Sequence, residues 1–459
     1  MMGDRASAVQ FYNQAVTAAQ DSSNPNHLQI AYQLFSSACM TDPTLGQAFY
    51  QSGNNNSDLN CLHAAIANWR RALQCEMTDE ERAKALVNLG WRLHSLGREQ
   101  EALEASRAAI ALQPNLALAW LNLSLIYGIM DDDIQSVLAA RRAFELDPSD
   151  VHNEIALAFA LLFAGSYQEG FKHFEKRFEW RLKNFLQFPY PKWEGEADRT
   201  VYLVADQGLG DTLSFARFVE RACKRAKYVH AAVQSELLRV FMHAFAHIPN
   251  LNLLPQPHPF PAADCWTTFV SLPYALKLDD KQIRDQQGID LPYFQMPSNW
   301  KVPGRKLHIG IAWAGSPLND IDKHRNIPVT QFFELYRVPD IQLYSLQVGE
   351  RSKELQDAGG AALVRDLSPY LRDVCDTLSI LRDLDLVITV ESALGHIAGA
   401  ANKECWIPYS FAGRDWRIGN RDDRVLWYPK HRTFRQDEDM RWDGPFEMIE
   451  AALRRKLGG

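Results

Sequence analysis

The sequence predicts an all-α repeat array followed by an α/β region built on parallel sheets. Three observations carry this. Pro114 and Pro148 stand 34 residues apart, each after a helix-like segment. Past "FPYPKWEGEADR" (188–199) short apolar runs alternate with amphipathic segments. A chain of 459 residues is also too long for one ordinary core, so two or three domains are expected.

The proline spacing is that of the tetratricopeptide repeat (TPR), a helix pair that buries its apolar face only by stacking on its neighbours. In a frame opening at Ala83, the small or apolar residues Leu86, Leu89, Gly90, Ala102 and Ala109 precede Pro114. The next frame, from Ala117, gives Trp120, Leu123, Tyr127 and Ala143 before Pro148. Ala31, Phe35, Ala38 and Pro43 fit an earlier unit, and Gly53, Ala65, Trp69 and Ala72 another. Leu157, Gly165 and Phe174 fit a last one. Five repeats are expected, at 12–45, 46–82, 83–116, 117–150 and 151–184, within a TPR domain over 1–184. Such arrays bind polypeptides on a concave face, or serve as spacers and dimer surfaces.

In the second part, strand-like runs fall at 200–205, 228–233, 307–315, 341–347, 384–390 and 403–409. Amphipathic segments such as "DTLSFARFVERACKRA" and "SALGHIAGAANK" lie between several of them. This alternation implies parallel sheets covered by helices. "MPSNWKVPGRK" (296–306) reads as a linker. Two Rossmann-like domains follow, over 185–298 and 299–459, the second closing on a C-terminal helix. Ligands of such sheets sit at the carboxyl ends of the strands.

Composition excludes several classes. A net charge of -7 argues against a dedicated nucleic-acid binder. The seven cysteines are odd in number and lack a C-x-x-C pair, which suits reduced thiols in a cytoplasmic protein. The segment "MMGDRASAVQFYNQ" lacks the apolar core of a signal peptide. "IALAFALLFAG" (155–165) is too short to span a bilayer.

Three loops at predicted strand ends carry candidate chemistry. In the first, Gly208-Leu209-Gly210-Asp211-Thr212 joins a strand to a helix. The glycines permit a sharp turn and close ligand approach. Leu213 breaks the dinucleotide pattern G-x-G-x-x-G. Asp211 suits either an N-cap for a helix starting at Thr212 or a general base. In the second loop, Glu391 and Ser392 follow a strand, and Gly395 and His396 lie on the helix behind them. A helix N-terminus of small residues suits a phosphate. An ordinary cap and a packed histidine account for the same text. In the third, Lys323, His324 and Arg325 gather cations that suit an anionic ligand or a solvated loop. Asp383-x-Asp385 precedes its strand and so stands at the wrong end for a metal clamp, and Asp131-Asp132-Asp133 lies in a repeat turn. No H-E-x-x-H, Walker A or G-x-S-x-G occurs, and no required metal is expected.

The order of "DQGLGDT" (206–212), "IGIAWAGSP" (309–317), "HRNIP" (324–328), "SLQVGE" (345–350), "DLVITVESALGHIAGA" (385–400), "DWRIGNRDD" (415–423) and "WYPKHRTFRQ" (427–436) resembles the heptosyltransferase-like glycosyltransferases of family nine. The whole chain is similar to bacterial TPR proteins fused to such a domain. The resemblance implies a GT-B fold, two Rossmann-like domains with the donor held mainly by the second. It implies Asp211 as base on the acceptor hydroxyl and Lys323 or Arg325 beside the donor diphosphate. It places Ser392, Gly395 and His396 in the phosphate-side loop, with Gly208, Gly210, Thr212, Gln347 and Glu391 also assigned to the donor and substrate site. Glu391 departs from the Asp of many relatives, and Asp206 stands where many have Glu. The implied activity is inverting, metal-independent and cofactor-free transfer from a nucleotide-diphosphate-sugar. The acceptor would be a protein presented by the repeats. The alternatives are a lipid or polysaccharide acceptor, and an inactive binding protein. The repeats could also join copies of the chain.

Overall fold

The computed structural model describes residues 4–180; 188–315 except 287, 290 and 292–300; 325–437 except 412, 414, 419–424 and 426; and 439–458. The chain divides into two compact units, Met1–Ala164 and Gly165–Gly459.

The first unit is a run of helices: α1 (Arg5–Gln20), α2 (His27–Thr41), α3 (Gly46–Asp58), α4 (Leu62–Ala72), α5 (Asp79–Ser95), α6 (Glu99–Leu112), α7 (Ala117–Ile129), α8 (Asp133–Leu146) and α9 (Val151–Phe163). They pack as successive antiparallel pairs joined by short turns. Asn60, Gly97 and Asp131 turn the chain inside three pairs with φ of 60°, 71° and 59°. That left-handed region is open to glycine and tolerated by Asn and Asp. Thr78 and Glu81 form a reciprocal capping box that starts α5. Ala65, Ile66 and Trp69 of α4, Leu89 and Leu93 of α5, Leu103 of α6 and Leu123 of α7 share one buried cluster. Adjacent units thus bury each other's apolar faces.

Two expectations shift. The first repeat is expected from residue 12, but α1 begins at Arg5. The longer turn "DSSNPN" (21–26) separates it from α2 and displaces it from the 34-residue spacing. The array is expected to reach 184, but its compact unit ends at Ala164. The helix Tyr167–Phe174 belongs with the second unit for a plain reason. Tyr167 and Phe171 each set their ring 5.6 Å from Trp416, and Phe171 lies 5.7 Å from Phe215.

The second unit holds two parallel sheets. β1 (Thr200–Val204), β2 (Tyr228–Gln234), β3 (Leu251–Gln256) and β4 (Cys265–Thr268) form the order β3-β2-β1-β4. β5 (Leu307–Ala312), β6 (Ile341–Ser345), β7 (Arg365–Asp366), β8 (Leu386–Thr389), β9 (Cys405–Tyr409) and β10 (His431–Arg435) form the order β10-β9-β8-β5-β6-β7. All six anticipated strands are present. β3, β4, β7 and β10 escape the sequence pattern: β4 and β7 are short, β3 carries a proline, and β10 ("HRTFR") is mostly polar and charged. The connector before β1 is more than a spacer: the Trp193 amide donates to the Trp266 carbonyl at 2.7 Å, and Phe188 packs on Tyr202 and Trp266. The helix Asp443–Lys456 closes the second sheet with Phe446, Ile449 and Leu453 in its core. Residues 296–300 of the expected linker lie outside the described residues. Among the described residues no helix is long and apolar enough to cross a membrane.

The strand orders reverse between β1 and β4, and between β8 and β5. Crevices at such switch points are where open parallel sheets receive ligands. The Gly208 loop follows β1, the loop at Gly315 follows β5, and Glu391-Ser392 follows β8. The first two candidate loops, and the described start of the third at Gly315, therefore sit at switch points.

In the first unit, a Cβ added to Gly53 would lie 2.5 Å from the Trp69 indole nitrogen, and Trp69 is buried. Gly53→Ala should destabilise the protein by roughly 1–3 kcal/mol through overpacking, even though alanine is the better helix former. Urea titration of the variant checks this; a gain in stability would mean the indole moves aside freely.

Candidate functional site

The helix after β1 runs from Leu209 to Phe215, with Gly208 at its N-cap. It starts earlier than the expected Thr212, so Asp211 lies within the first turn and does not cap it. Its carboxylate instead meets Arg417, whose Nη1 donates to Oδ1 at 2.7 Å. The same guanidinium forks onto Asp415, with Nε to Oδ1 at 2.9 Å and Nη2 to Oδ2 at 2.6 Å. Arg417 and Asp415 are shielded while the Asp211 side chain keeps about a quarter of its exposure. Burial acts against the charge of Arg417, but its two carboxylates overcome this and hold the guanidinium firmly protonated. Burial likewise pushes the Asp415 carboxyl up, yet Arg417 holds it below the usual range.

Gly210 allows a close crossing. A Cβ there would lie 2.5 Å from His396 Cδ2. His396 is carried by the helix Ala393–Ala400, which follows β8. Its Nδ1 is 2.9 Å from Ser214 Oγ and 3.2 Å from Tyr428 Oη, and those two hydroxyls are 2.9 Å apart. Loss of hydration, and then the charge of Arg417, push the imidazole down to about 3. His396 is thus a neutral ring packed between helices from the two sheets, and it is not a cationic donor.

Ser392 is the N-cap of that helix, but its hydroxyl makes no capping bond and lies 3.1 Å from Thr389 Oγ1. Gly395 is buried beside Thr389 and Ile407. Arg325 is 9% exposed and donates from Nη1 to the Glu391 carbonyl at 2.8 Å. Its guanidinium occupies the space over Gly315, where a Cβ would lie 2.2 Å from Nη2. Arg325 therefore ties the loops after β5 and β8 together. Lys323 and His324 lie outside the described residues.

Two further candidates turn out to serve the backbone. Gln347 accepts from the amides of Trp313 at 3.0 Å and Ala314 at 2.9 Å, so its side-chain oxygen shapes the end of β5. Thr212 is buried and its hydroxyl donates to the Gly208 carbonyl at 3.4 Å. Asp385 accepts from the His308 amide at 2.7 Å at the amino end of β8, as its position before the strand implied.

Sequence reasoning missed Arg417, Asp415 and Arg177. Arg177 is buried and donates to Asp206 Oδ2 from Nη2 at 2.9 Å, to Thr268 at 2.9 Å and to Ser271 at 2.7 Å. It crosses the β1/β4 switch point and gives Asp206 a structural partner. Arg417 stands inside the quoted "DWRIGNRDD" motif, which was the available signal.

Comparison with known proteins bears on the first unit most directly. The tetratricopeptide repeat family matches residues 83–116, the frame expected from Ala83. The N-terminal region contains tetratricopeptide repeats. Over a longer span the chain is similar to Protein FlbA of Caulobacter vibrioides, 22% identical over 431 residues, covering 80% of this chain and 72% of that protein. Among solved structures it is similar to MamA from Desulfovibrio magneticus RS-1, at 20% identity and a TM-score of 0.34, over 40% of this chain and 100% of that one. It is also similar to a thermophilic TPR protein of Thermus thermophilus, at 18% identity and a TM-score of 0.31, over 39% and 93% of the two chains.

Glu391 supplies a pH test of the site. Burial, and then the nearby Asp415 carboxylate, push its carboxyl up to about 7, with Arg325 and Arg417 opposing. A carboxyl raised on folding stays protonated in the native protein while the unfolded chain ionises. Stability is therefore lost as pH rises from about 4.5 toward about 7. Glu391→Gln removes that loss, so its melting temperature relative to the parent should climb between pH 5 and pH 8. Parallel thermal melts at the two pH values check it; a constant difference would mean Glu391 is already ionised at pH 5.

Proposed function

We propose that the second unit is a glycosyltransferase of GT-B type that moves a sugar from a nucleotide-diphosphate-sugar to an acceptor hydroxyl, with inversion and without a metal. The observation that carries this reading is the meeting of strand-end loops from both parallel sheets around the Asp211–Arg417–Asp415 ion pairs. A carboxylate that keeps solvent access, at the carboxyl end of one sheet and facing the other, is positioned to act on a substrate.

Under this reading, Asp211 takes the proton of the acceptor hydroxyl as its oxygen attacks the anomeric carbon. The bond from that carbon to the diphosphate oxygen breaks, and the electron pair leaves with the diphosphate. The amides opening the helix Ala393–Ala400 face the developing charge, and Lys323 and Arg325 supply cations beside it. His396 acts as a neutral spacer that sets the distance between this helix and Asp211. Glu391, protonated for part of the physiological range, can donate a hydrogen bond to the donor sugar or phosphate. The repeats present the acceptor, which on this reading is a protein.

A thermal-shift panel of UDP, GDP, ADP, CMP and dTDP ligands tests the donor class. A ligand at a hundred times its dissociation constant should add roughly 2.7 kcal/mol of apparent stability. Asp211→Asn should keep nucleotide binding and lose transfer by about 10²–10⁴-fold. Because Asp211 also pairs with Arg417, the variant's melting temperature is measured alongside. Near-normal turnover in a folded variant sinks the catalytic role of Asp211.

The leaving-group arrangement makes a separate prediction. Turnover should persist in excess EDTA, since helix amides and side-chain cations are proposed to meet the diphosphate charge. Complete loss on chelation, restored by manganese or magnesium, would refute it.

A further inference from the structure

Helices α6, α7 and α8 leave a groove of about 450 Å³ on the first unit, lined mainly by Arg107, Ile110, Trp120, Tyr127, Leu138 and Arg142. Trp120, Leu123 and Tyr127 fall at i, i+3 and i+7 of α7 and so share one face of it. Leu118 lies about half a turn away, on the opposite face, and is 47% exposed. The groove thus opens on the side of α6 and α8, the second helices of their pairs. It is a different surface from the one that α7 presents through Leu118.

Its chemistry is mixed in a directed way. The floor is aromatic and aliphatic, and Leu138 is 56% exposed, with Ile134 one turn before it at 69%. Arg107 stands at one wall, donating from Nη2 to the Tyr127 hydroxyl at 2.8 Å with its guanidinium 5.8 Å from the ring centroid. Arg142 stands on α8 and reaches Glu145 at 3.3 Å with its side chain 43% exposed. Among the described residues no acidic side chain lines the groove. Glu145 engages one Arg142 nitrogen, and Tyr127 one of Arg107, and each planar guanidinium carries further N–H groups. Exposed apolar surface rimmed by polar groups marks an interaction site, and Trp, Tyr and Arg are the residues that dominate binding energy at such sites.

We propose that this groove docks a segment of a partner protein in which an apolar side chain is flanked by carboxylates. The apolar side chain covers Trp120 and Leu138. The carboxylates take charge-assisted, forked bonds from Arg107 and Arg142. The proposal does not depend on the transfer reading, since it concerns the repeat unit alone and needs no donor.

The test is fluorescence anisotropy with the full chain and a labelled synthetic peptide carrying leucine and phenylalanine between paired glutamates. Saturable binding that weakens with added salt is expected. The double variant Arg107→Glu, Arg142→Glu should weaken it at least about tenfold, and Leu138→Asp should also weaken it. Leu118→Asp, on the opposite face, should leave it unchanged, with melting curves confirming that every variant is folded. Four results would each overturn the proposal: no saturable binding, equal binding by a lysine-flanked peptide, unchanged affinity in the double variant, or loss in Leu118→Asp equal to that in Leu138→Asp. Sedimentation supplies a fifth. If the chain self-associates and the double variant is monomeric, the occupant is a second copy.

Discussion

Arg417 is the constraint on which the second unit's site depends. A shielded guanidinium is tolerable only with carboxylates in place, because desolvating one ion alone costs several kcal/mol. Arg417 has two such partners, and they come from different parts of the chain. Asp415 is its close neighbour in the turn after β9, whereas Asp211 lies on the helix after β1, 206 positions away in sequence. The pair with Asp415 makes a rigid local fork. The pair with Asp211 then fixes that fork against the first sheet. The local titrations combine burial with this charge. Arg417 adds to the burial that keeps His396 neutral and holds Asp415 ionised against burial, whereas Glu391 is raised by burial and then by Asp415, with Arg417 opposing.

Close packing does the complementary work. Glycines at the crossing admit rings where a side chain would intrude: Gly210 faces His396, and Gly399 faces the Tyr428 ring with 2.4 Å to a built Cβ. Arg217 seals the same region, donating to the Ser214 and Trp427 carbonyls with its guanidinium 4.3 Å from the Trp427 ring centroid. Burial weakens its hold on the proton, pushing it down to about 10. The two helices that carry Asp211 and His396 are therefore held together by Ser214, Tyr428 and His396 in hydrogen bonds that need no net charge.

Much of the architecture was legible because it is written in local periodicity. The spacing from Pro114 to Pro148 located the repeat frame that the family match covers at 83–116. The six apolar runs anticipated as strands are strands. What failed was either short-range detail or long-range pairing. The helix start at Leu209 instead of Thr212 turned on Gly208 serving as N-cap, which one glycine among several does not announce. The longer turn at 21–26 hid the true start of α1. The bridge that the Gln347 oxygen makes between two amides of another loop is likewise not visible in "SLQVGE". Arg177–Asp206 and Arg417–Asp211 join residues far apart in sequence, and a single sequence carries no pattern for such pairs.

The two neighbouring carboxylates show how far position outweighs residue type. Asp415 receives a forked guanidinium and stays ionised, while Glu391 sits beside it and is displaced toward neutrality. Burial pushes both carboxyls up; the Arg417 fork outweighs it at Asp415, while at Glu391 Arg325 and Arg417 offset it only in part. The carbonyl of Glu391, meanwhile, is held by Arg325, so the backbone at the end of β8 is anchored even as the side chain changes charge. Three acids thus take three different conditions around one arginine. Asp211 is paired and still reached by solvent, Asp415 is paired and shielded, and Glu391 is driven by its surroundings to keep its proton. That separation, not the bare presence of acidic residues at strand ends, distinguishes this crevice from an ordinary solvated loop.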